Sequence, residues 1–350
     1  MKQIRIGIIG FGKVIRAFLE MLPDKSEQVK SRYGLDLKVV AICDSTQYMH
    51  NYEGFDPEEL LAMKLEKNAT VSSLRPASED EDRQFTIASF LQNEVNAVIE
   101  ALPPNRDSGQ PALAYLLAFL QNRVPVVTVN KSPLVFGFQQ LLAMSRKTGA
   151  PIKFSGATAA ALPTSDLFSI SLAGQDIYGF EGILNGTTNF LLTEMINNQS
   201  SLDEELELAK ELKICEPDPS FDIDGWDTAF KTLILAKAFI DPFAELPDIE
   251  IQGIRGITYA DLEPVLQAGN TVKLLGKVGF ENNKLRLRVT PSIITPDHPF
   301  FRVDGTQKSI TVFSDAMGKL TLIGGATGLK EIAATILKDI INLNRNLNFN

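Results

Sequence analysis

The densest chemistry in the sequence lies in the run Glu216-Pro217-Asp218-Pro219-Ser220-Phe221-Asp222-Ile223-Asp224-Gly225-Trp226-Asp227, followed by Lys231. Several acids on a proline-stiffened loop beside a lysine suit recognition of an amino group together with proton transfer. A helix starting near Gly225 puts Asp227 and Lys231 at i and i+4, on one face. A plainer account makes Asp224 the helix N-cap, Asp227 a first-turn acid favoured by the helix dipole, and Asp227–Lys231 a modest surface ion pair. That account leaves Glu216 and Asp222 unexplained.

Two other stretches carry candidate groups. Gly182-Ile183-Leu184-Asn185-Gly186-Thr187-Thr188-Asn189 reads as a strand end, a glycine turn and a helix start. Free N–H groups there, around Gly186 and Thr187, can hold a carboxylate, although a helix cap of Thr and Asn explains the same residues. Lys131, in Asn130-Lys131-Ser132-Pro133, emerges directly from an apolar strand. It either snorkels or faces a ligand. There are only two histidines, His50 and His298, and two separated cysteines, Cys43 and Cys215. A His-based triad and a thiolate zinc cage are both poor fits, so no metal site is expected and acid–base work falls to lysines and carboxylates.

The elements that position these groups alternate. Ile4–Ile9 is a short apolar run suited to a strand buried on both faces, followed by Gly10-Phe11-Gly12 and then Val14, Ile15, Phe18, Leu19 and Leu22 at helical spacing. Strand, glycine turn and helix form the context of a dinucleotide fingerprint, with Gly10, Gly12, Lys13 and Val14 at the pyrophosphate end. The third fingerprint glycine is Ile15 here. Asp44 closes the next strand, Leu37–Cys43, where an acid can bind a ribose hydroxyl; a solvated strand-end aspartate is the plainer reading. No Arg or Lys follows it in Ser45-Thr46-Gln47-Tyr48, so NAD is favoured over NADP. Helices at Asp56-Pro57 to Met63, Pro111–Gln121 and Phe136–Lys147 alternate with strands at Val95–Ala101 and Val124–Val129. This predicts an α/β, Rossmann-like, doubly wound parallel sheet. Ligands in such sheets sit beyond the strand C-termini, which draws in Leu102-Pro103-Pro104-Asn105 and Asn130-Lys131. Glu79–Arg83 reads as a short charged loop.

After Lys153 the pattern changes to longer elements with hairpin turns at Asn282-Asn283 and Met317-Gly318, as in a second, α+β domain. The glycine-rich turn Gly324–Gly328 precedes a helix, Ile332–Leu343, that can pack back onto the first domain. The expected division is therefore 1–150, completed by 324–345, against 151–323. With 350 residues, a net charge of -9 and no apolar run long enough to span a bilayer, nucleic acid and membrane partners are disfavoured. The start reads as a buried strand, not a signal peptide, and the sparse cysteines suit a cytoplasmic setting.

GILNGTTNF, the EPDPxxDxDGxDxxxK run, VVTVNKSPL and GKLTLIGGATGLKEIAATILKD together resemble the homoserine dehydrogenase family, in that family's order. The resemblance implies an NAD(P)-dependent oxidoreductase of amino-acid biosynthesis (threonine and methionine), interconverting L-homoserine and L-aspartate 4-semialdehyde, without a fused kinase or regulatory domain. It also implies a homodimer. Lys231 and Lys131 match the family's two lysines around the substrate hydroxyl, with Lys231 relaying the proton. Glu216 and Asp227 match the residues that hold the amino group, Asp222 another acid lining the site, and Gly186 and Thr187 the turn that meets the carboxylate. Pro103, Asn130 and Gly328 join Gly10, Gly12, Lys13, Val14 and Asp44 on the cofactor side. The departures are Ile15, Leu102 where the family has threonine, and Ala157-Thr158-Ala159-Ala160 where glycines hold a monovalent cation. They leave two alternatives open: a related amino-acid or semialdehyde dehydrogenase, and a non-catalytic ligand-binding paralogue.

Overall fold

The run from Lys2 to Ile9 forms β1, whose last six residues are buried, and the chain turns at Gly10 into α1 (Lys13–Tyr33). The computed structural model describes residues 1–44, 48–65 and 79–344. The chain continues through β2 (Leu35–Cys43), β3 (Tyr48–His50), α2 (Pro57–Leu65), α3 (Glu79–Gln92), β4 (Ala97–Glu100), α4 (Ala112–Gln121), β5 (Val126–Thr128), α5 (Ser132–Thr148) and β6 (Ile152–Lys153). These strands make one sheet in the order β3-β2-β1-β4-β5-β6. All its pairings are parallel except β2–β3, a short antiparallel edge. The strand order reverses between β1 and β4, which places the ligand crevice of such a sheet at Gly10 and Ala101. The charged run Glu79–Arg83 opens α3 and is not a loop; a helix start and a loop share the same polar composition.

The helices of this unit form because apolar residues recur at one face. Ile15, Phe18, Leu19 and Leu22 of α1 are buried against β-strand residues Ile6, Ile8 and Ile99. The same cluster includes Ala333, Ile336, Leu337, Ile340 and Ile341, from the C-terminal helix described below. Each such side chain, fully buried, stabilises the fold by roughly 1.5–3 kcal/mol before entropy is counted. Asp56 caps α2 as its position suggests, its carboxylate accepting from Glu58 N at 2.9 Å and Glu59 N at 3.2 Å.

The second unit runs from Thr158 to Gly328, after a short turn of helix, α6 (Ser155–Thr158). Its elements are α7 (Thr164–Asp166), β7 (Ile177–Ile183), α8 (Gly186–Asn198), α9 (Leu202–Glu211), α10 (Ser220–Ile223), α11 (Trp226–Phe239), β8 (Ile249–Ile251), α12 (Tyr259–Gln267), β9 (Thr271–Glu281), β10 (Lys284–Ile294), β11 (Lys308–Ser314) and β12 (Lys319–Gly324). The sheet order is β12-β11-β7-β9-β10-β8, mostly antiparallel. Both expected hairpins are present, β9–β10 and β11–β12. The chain then returns to the first unit, Met1–Ala157, with α13 (Leu329–Asn344).

Candidate active site

In the second unit, β7 ends at Ile183 and the chain crosses two residues into α8, whose N-cap is Asn185. The Asn185 Oδ1 accepts from Thr188 N at 2.8 Å, as a cap does. Its Nδ2 does more: it donates to Asp222 Oδ1 and to Asp227 Oδ2, each at 2.7 Å. Lys231 Nζ stands 2.6 Å from the same Asp227 oxygen and donates to the Leu184 carbonyl at 2.9 Å. One turn at the end of a strand thus gathers an amide, two carboxylates and a lysine.

The Asp227–Lys231 pair is not the surface pair that the helical spacing alone suggests. Its side chains are 8% and 16% exposed, and α11 is buried along most of its length. Asp224 is not the N-cap either. Gly225 takes that place at φ 88°, a left-handed conformation that a side chain disfavours, and a Cβ there would press on Ile251 and Val289. Asp224 instead accepts a forked pair from Arg255, at 2.5 and 2.8 Å. That pairing holds its carboxyl below the usual aspartate range.

Gly186 and Thr187 open α8. A Cβ at Gly186 would lie 2.7 Å from both the Thr306 carbonyl and Thr327 Oγ1, so the position is closed to larger residues. Thr187 Oγ1 donates to the Ile214 carbonyl at 3.3 Å, which ties the acidic loop to this helix start. Glu216 lies two residues on, exposed, and makes no hydrogen bond or ion pair among the described residues. Its neighbour Cys215 has its thiol pushed up by burial. The turn through Gly328 is fixed from below by Lys308, which donates to the Ala326 carbonyl and to Thr327 Oγ1.

In the first unit, Gly10 has φ 94°, and a Cβ would lie 2.5 Å from the Ala101 carbonyl. Only glycine lets the turn pass so close to the end of β4. Gly12 caps α1 with no side-chain hydrogen bond, no acid stands in the first turn, and the space where its Cβ would be is open. The N–H groups of Lys13 and Val14 therefore face an open helix N-terminus. Arg16 Nε, one turn on, is buried with no hydrogen-bond partner among the described residues. These features fit an anionic group such as a dinucleotide pyrophosphate. Ile15 is 0% exposed and belongs to the core of this unit, so it packs the helix on the sheet and does not project into that open space.

Asp44 follows the last residue of β2, half-buried. Ser45–Gln47, on which the preference for NAD rests, lie outside the described residues. Pro103 is exposed in the loop after β4. Asn130 is buried and its side chain is engaged within the fold: Oδ1 accepts from Ser132 N at 3.0 Å and Nδ2 donates to Glu100 at 3.2 Å. Lys131 is half-buried directly before α5, its carbonyl accepting from Leu134 N and Val135 N. Thr158, the last residue of α6 in the Ala157-Thr158-Ala159-Ala160 stretch, shares a hydrogen bond with Thr164.

Sequence reasoning did not single out Glu100. It is the last residue of β4, fully buried, with its pKa pushed up by loss of solvent; hydrogen bonds from Thr128, Leu102 and Asn130 oppose that rise. A lone acid at the end of an apolar run gives no periodic signal.

The family model for homoserine dehydrogenase matches residues 138–341. The homoserine dehydrogenase of Methanocaldococcus jannaschii is 32% identical over 96% of this chain and 97% of its own. An NAD(+)-dependent homoserine dehydrogenase of Pseudomonas canavaninivorans is 28% identical, covering 99% of this chain and 97% of its own. Among solved structures, a putative homoserine dehydrogenase from Archaeoglobus fulgidus superposes with a TM-score of 0.85 at 28% identity, over 98% of this chain and 100% of the other. With a site of two acids, a bridging asparagine and a half-buried lysine on this fold, the chain belongs to the homoserine dehydrogenase family of oxidoreductases.

Proposed function

We propose that this chain interconverts L-homoserine and L-aspartate 4-semialdehyde, with the second unit binding the amino acid and the first a nicotinamide dinucleotide. The observation that carries this reading is the largely buried Lys231–Asp227 pair beside Asn185 and Asp222, at the start of α8. Two of the three Lys231 N–H donors meet Asp227 and Leu184, which leaves the third for the substrate's C4 oxygen. Lys231 Nζ then gives a proton to that oxygen during reduction, or receives it during oxidation. The family resemblance gives Lys131 a role at the substrate hydroxyl as well. Glu216 and Asp227 hold the substrate's ammonium group, with Asp222 beside them. The N–H groups of Gly186 and Thr187 receive its carboxylate.

Lys13 and Val14 N–H groups, with Arg16, would hold the cofactor's pyrophosphate, Asp44 its ribose hydroxyls, and Pro103, Asn130 and Gly328 would border it. When bound, the cofactor supplies or accepts the hydride. NAD is favoured over NADP because no Arg or Lys follows Asp44 in the stretch Ser45-Thr46-Gln47-Tyr48. A homodimer in the cytoplasm completes the reading; among the described residues no helix is long and apolar enough to cross a membrane. The burial of Ile15 in the core supports this reading over that of a non-catalytic paralogue, as far as the glycine turn is concerned.

Calorimetric titration with NAD and NADP, followed by addition of homoserine and the near-ultraviolet absorbance of reduced nicotinamide, tests the proposal. Binding with homoserine-dependent reduction supports it. Binding of neither nucleotide, or binding without turnover, overturns it.

A further inference from the structure

We infer that Glu100 is a positioning residue for hydride transfer: its single buried carboxyl ties the Leu102–Pro104 loop to the Asn130–Lys131 turn. The inference rests on the dehydrogenase activity proposed above, in which Pro103 and Asn130 border the cofactor and the family resemblance gives Lys131 a role at the substrate hydroxyl.

Glu100 closes β4, and all four residues of that strand are buried. An apolar side chain would fill the position without the cost of desolvating a carboxyl. Both carboxyl oxygens are instead engaged. Oε1 accepts from Leu102 N at 2.9 Å and from Asn130 Nδ2 at 3.2 Å, and Oε2 accepts from Thr128 Oγ1 at 2.5 Å. None of these bonds belongs to the sheet ladder; every donor lies at or beyond a strand C-terminus. Thr128 Oγ1 in turn accepts from Asn130 N at 3.1 Å, and Asn130 Oδ1 accepts from Ser132 N at 3.0 Å. The Glu100 carbonyl accepts from Val129 N at 3.2 Å. Asn130 is therefore held through its backbone N–H, through Nδ2 and through Oδ1. The backbone of Lys131, the next residue, starts from that fixed point. Leu102, on the other side, is held through its own N–H.

Such an arrangement does what a rigid supporting shell does for a site built on loops: it removes freedom from two connections that sequence alone leaves loose. A displacement of about 1 Å in a reacting group can cost roughly 100-fold in rate. Glu100 meets no reacting atom in this account, and acts through Leu102, Asn130 and Lys131.

The test compares wild type with Glu100→Leu, Glu100→Gln and Thr128→Val. Glutamine keeps an acceptor for Leu102 N and Asn130 Nδ2 and offers its amide to the Thr128 hydroxyl. Thr128→Val is isosteric and removes the hydroxyl's bonds to Oε2 and to the Asn130 backbone while leaving Glu100 bonded to Leu102 N and Asn130 Nδ2, so it tests the strut should Glu100→Leu fail to fold. Each protein is measured for kcat, for KM with homoserine, for NAD affinity by calorimetry, and without nucleotide for amide hydrogen exchange. The expected result is a loss of about 10–100-fold in kcat and weakened NAD binding for Glu100→Leu. Its exchange should quicken in 102–105 and 130–135 while the β9–β10 hairpin stays protected. Thr128→Val should change in the same direction but less, and Glu100→Gln should recover most of the loss. The inference is overturned if Glu100→Leu, or Thr128→Val where the former does not fold, lowers only the thermal midpoint while kcat and NAD affinity stay within about twofold. Wild type without NAD-dependent homoserine turnover would sink the proposed function itself, whereas active wild type with indifferent variants sinks only the role of Glu100.

Discussion

Lys231 and Asp227 lie one turn apart on α11 with Nζ 2.6 Å from Oδ2, and both are largely withdrawn from water. Breaking a buried pair by removing one partner leaves the other charge uncompensated, at a cost of about 3 kcal/mol or more. Lys231→Met is expected to lower kcat by at least ~100-fold and also the thermal midpoint. The double variant Lys231→Met/Asp227→Asn should regain much of that stability and none of the activity. Calorimetric melting and steady-state kinetics on both proteins check this; recovery of activity in the double variant would refute the role given to Lys231.

Asn185 serves two structures with one side chain. Serine at an N-cap is as good as asparagine, so Asn185→Ser should leave α8 stable to within about 0.5 kcal/mol as far as the cap is concerned. It cannot donate to Asp222 and Asp227 together. A fall of roughly 10-fold or more in kcat/KM for homoserine, equivalent to the loss of one or two hydrogen bonds of about 1 kcal/mol each, is expected from the steady-state rates. An unchanged kcat/KM would mean that the bridge has no bearing on substrate.

Ile15 fills the core behind the glycine turn. Ile15→Gly removes a fully buried side chain and adds a helix-interior glycine, for a loss of about 3–5 kcal/mol in denaturant unfolding. NAD affinity, measured on the folded fraction or with Ile15→Val, should not move by more than about twofold. A clear strengthening of binding in either variant would show that Ile15 obstructs the pyrophosphate after all.

Asp339, on α13, accepts from Ser155 N at 3.0 Å and Ser155 Oγ at 2.8 Å, and stands 3.1 Å from Lys338. Burial raises its pKa above the ordinary 3.8, against those partners. A carboxyl whose folded pKa is raised binds protons more tightly folded than unfolded, so its contribution is fully present below the unfolded pKa and lost as pH rises through the folded one. Glu100 behaves the same way from its ordinary 4.5. Unfolding free energies of Asp339→Asn and Glu100→Gln, each measured relative to wild type, should therefore shift in favour of the variant as pH rises from below 4 through the acid range. A difference independent of pH would show that neither group is perturbed.

Much of this architecture was legible because it repeats. The apolar strand before Gly10, the helical spacing from Ile15 to Leu22 and the Asn282-Asn283 turn are local signals, and each forms its element. Local signals fail where partners are distant. The spacing of Asp227 and Lys231 gave their shared face but not their burial, which comes from the sheet packed on α11. Asn185 was legible as a cap, but its bridge depends on acids 37 and 42 residues away. Glu100 was silent for the same reason, its partners Thr128 and Asn130 lying 28 and 30 residues on. Asp224 was misplaced as a cap because Arg255, which takes its carboxylate, is 31 residues away.

The chain leaves the first unit after Ala157 and re-enters it with α13 at Leu329, so residues from both sides of that long excursion share one apolar cluster. On the ribosome, the first sheet is made early yet must wait for the second unit to be synthesised before Ile336 and Ile340 arrive to cover Phe18. Until then it presents an uncovered greasy face. A nascent chain stopped just short of Leu329 should consequently recruit holdase chaperones and resist release, whereas one carried through Asn344 should not.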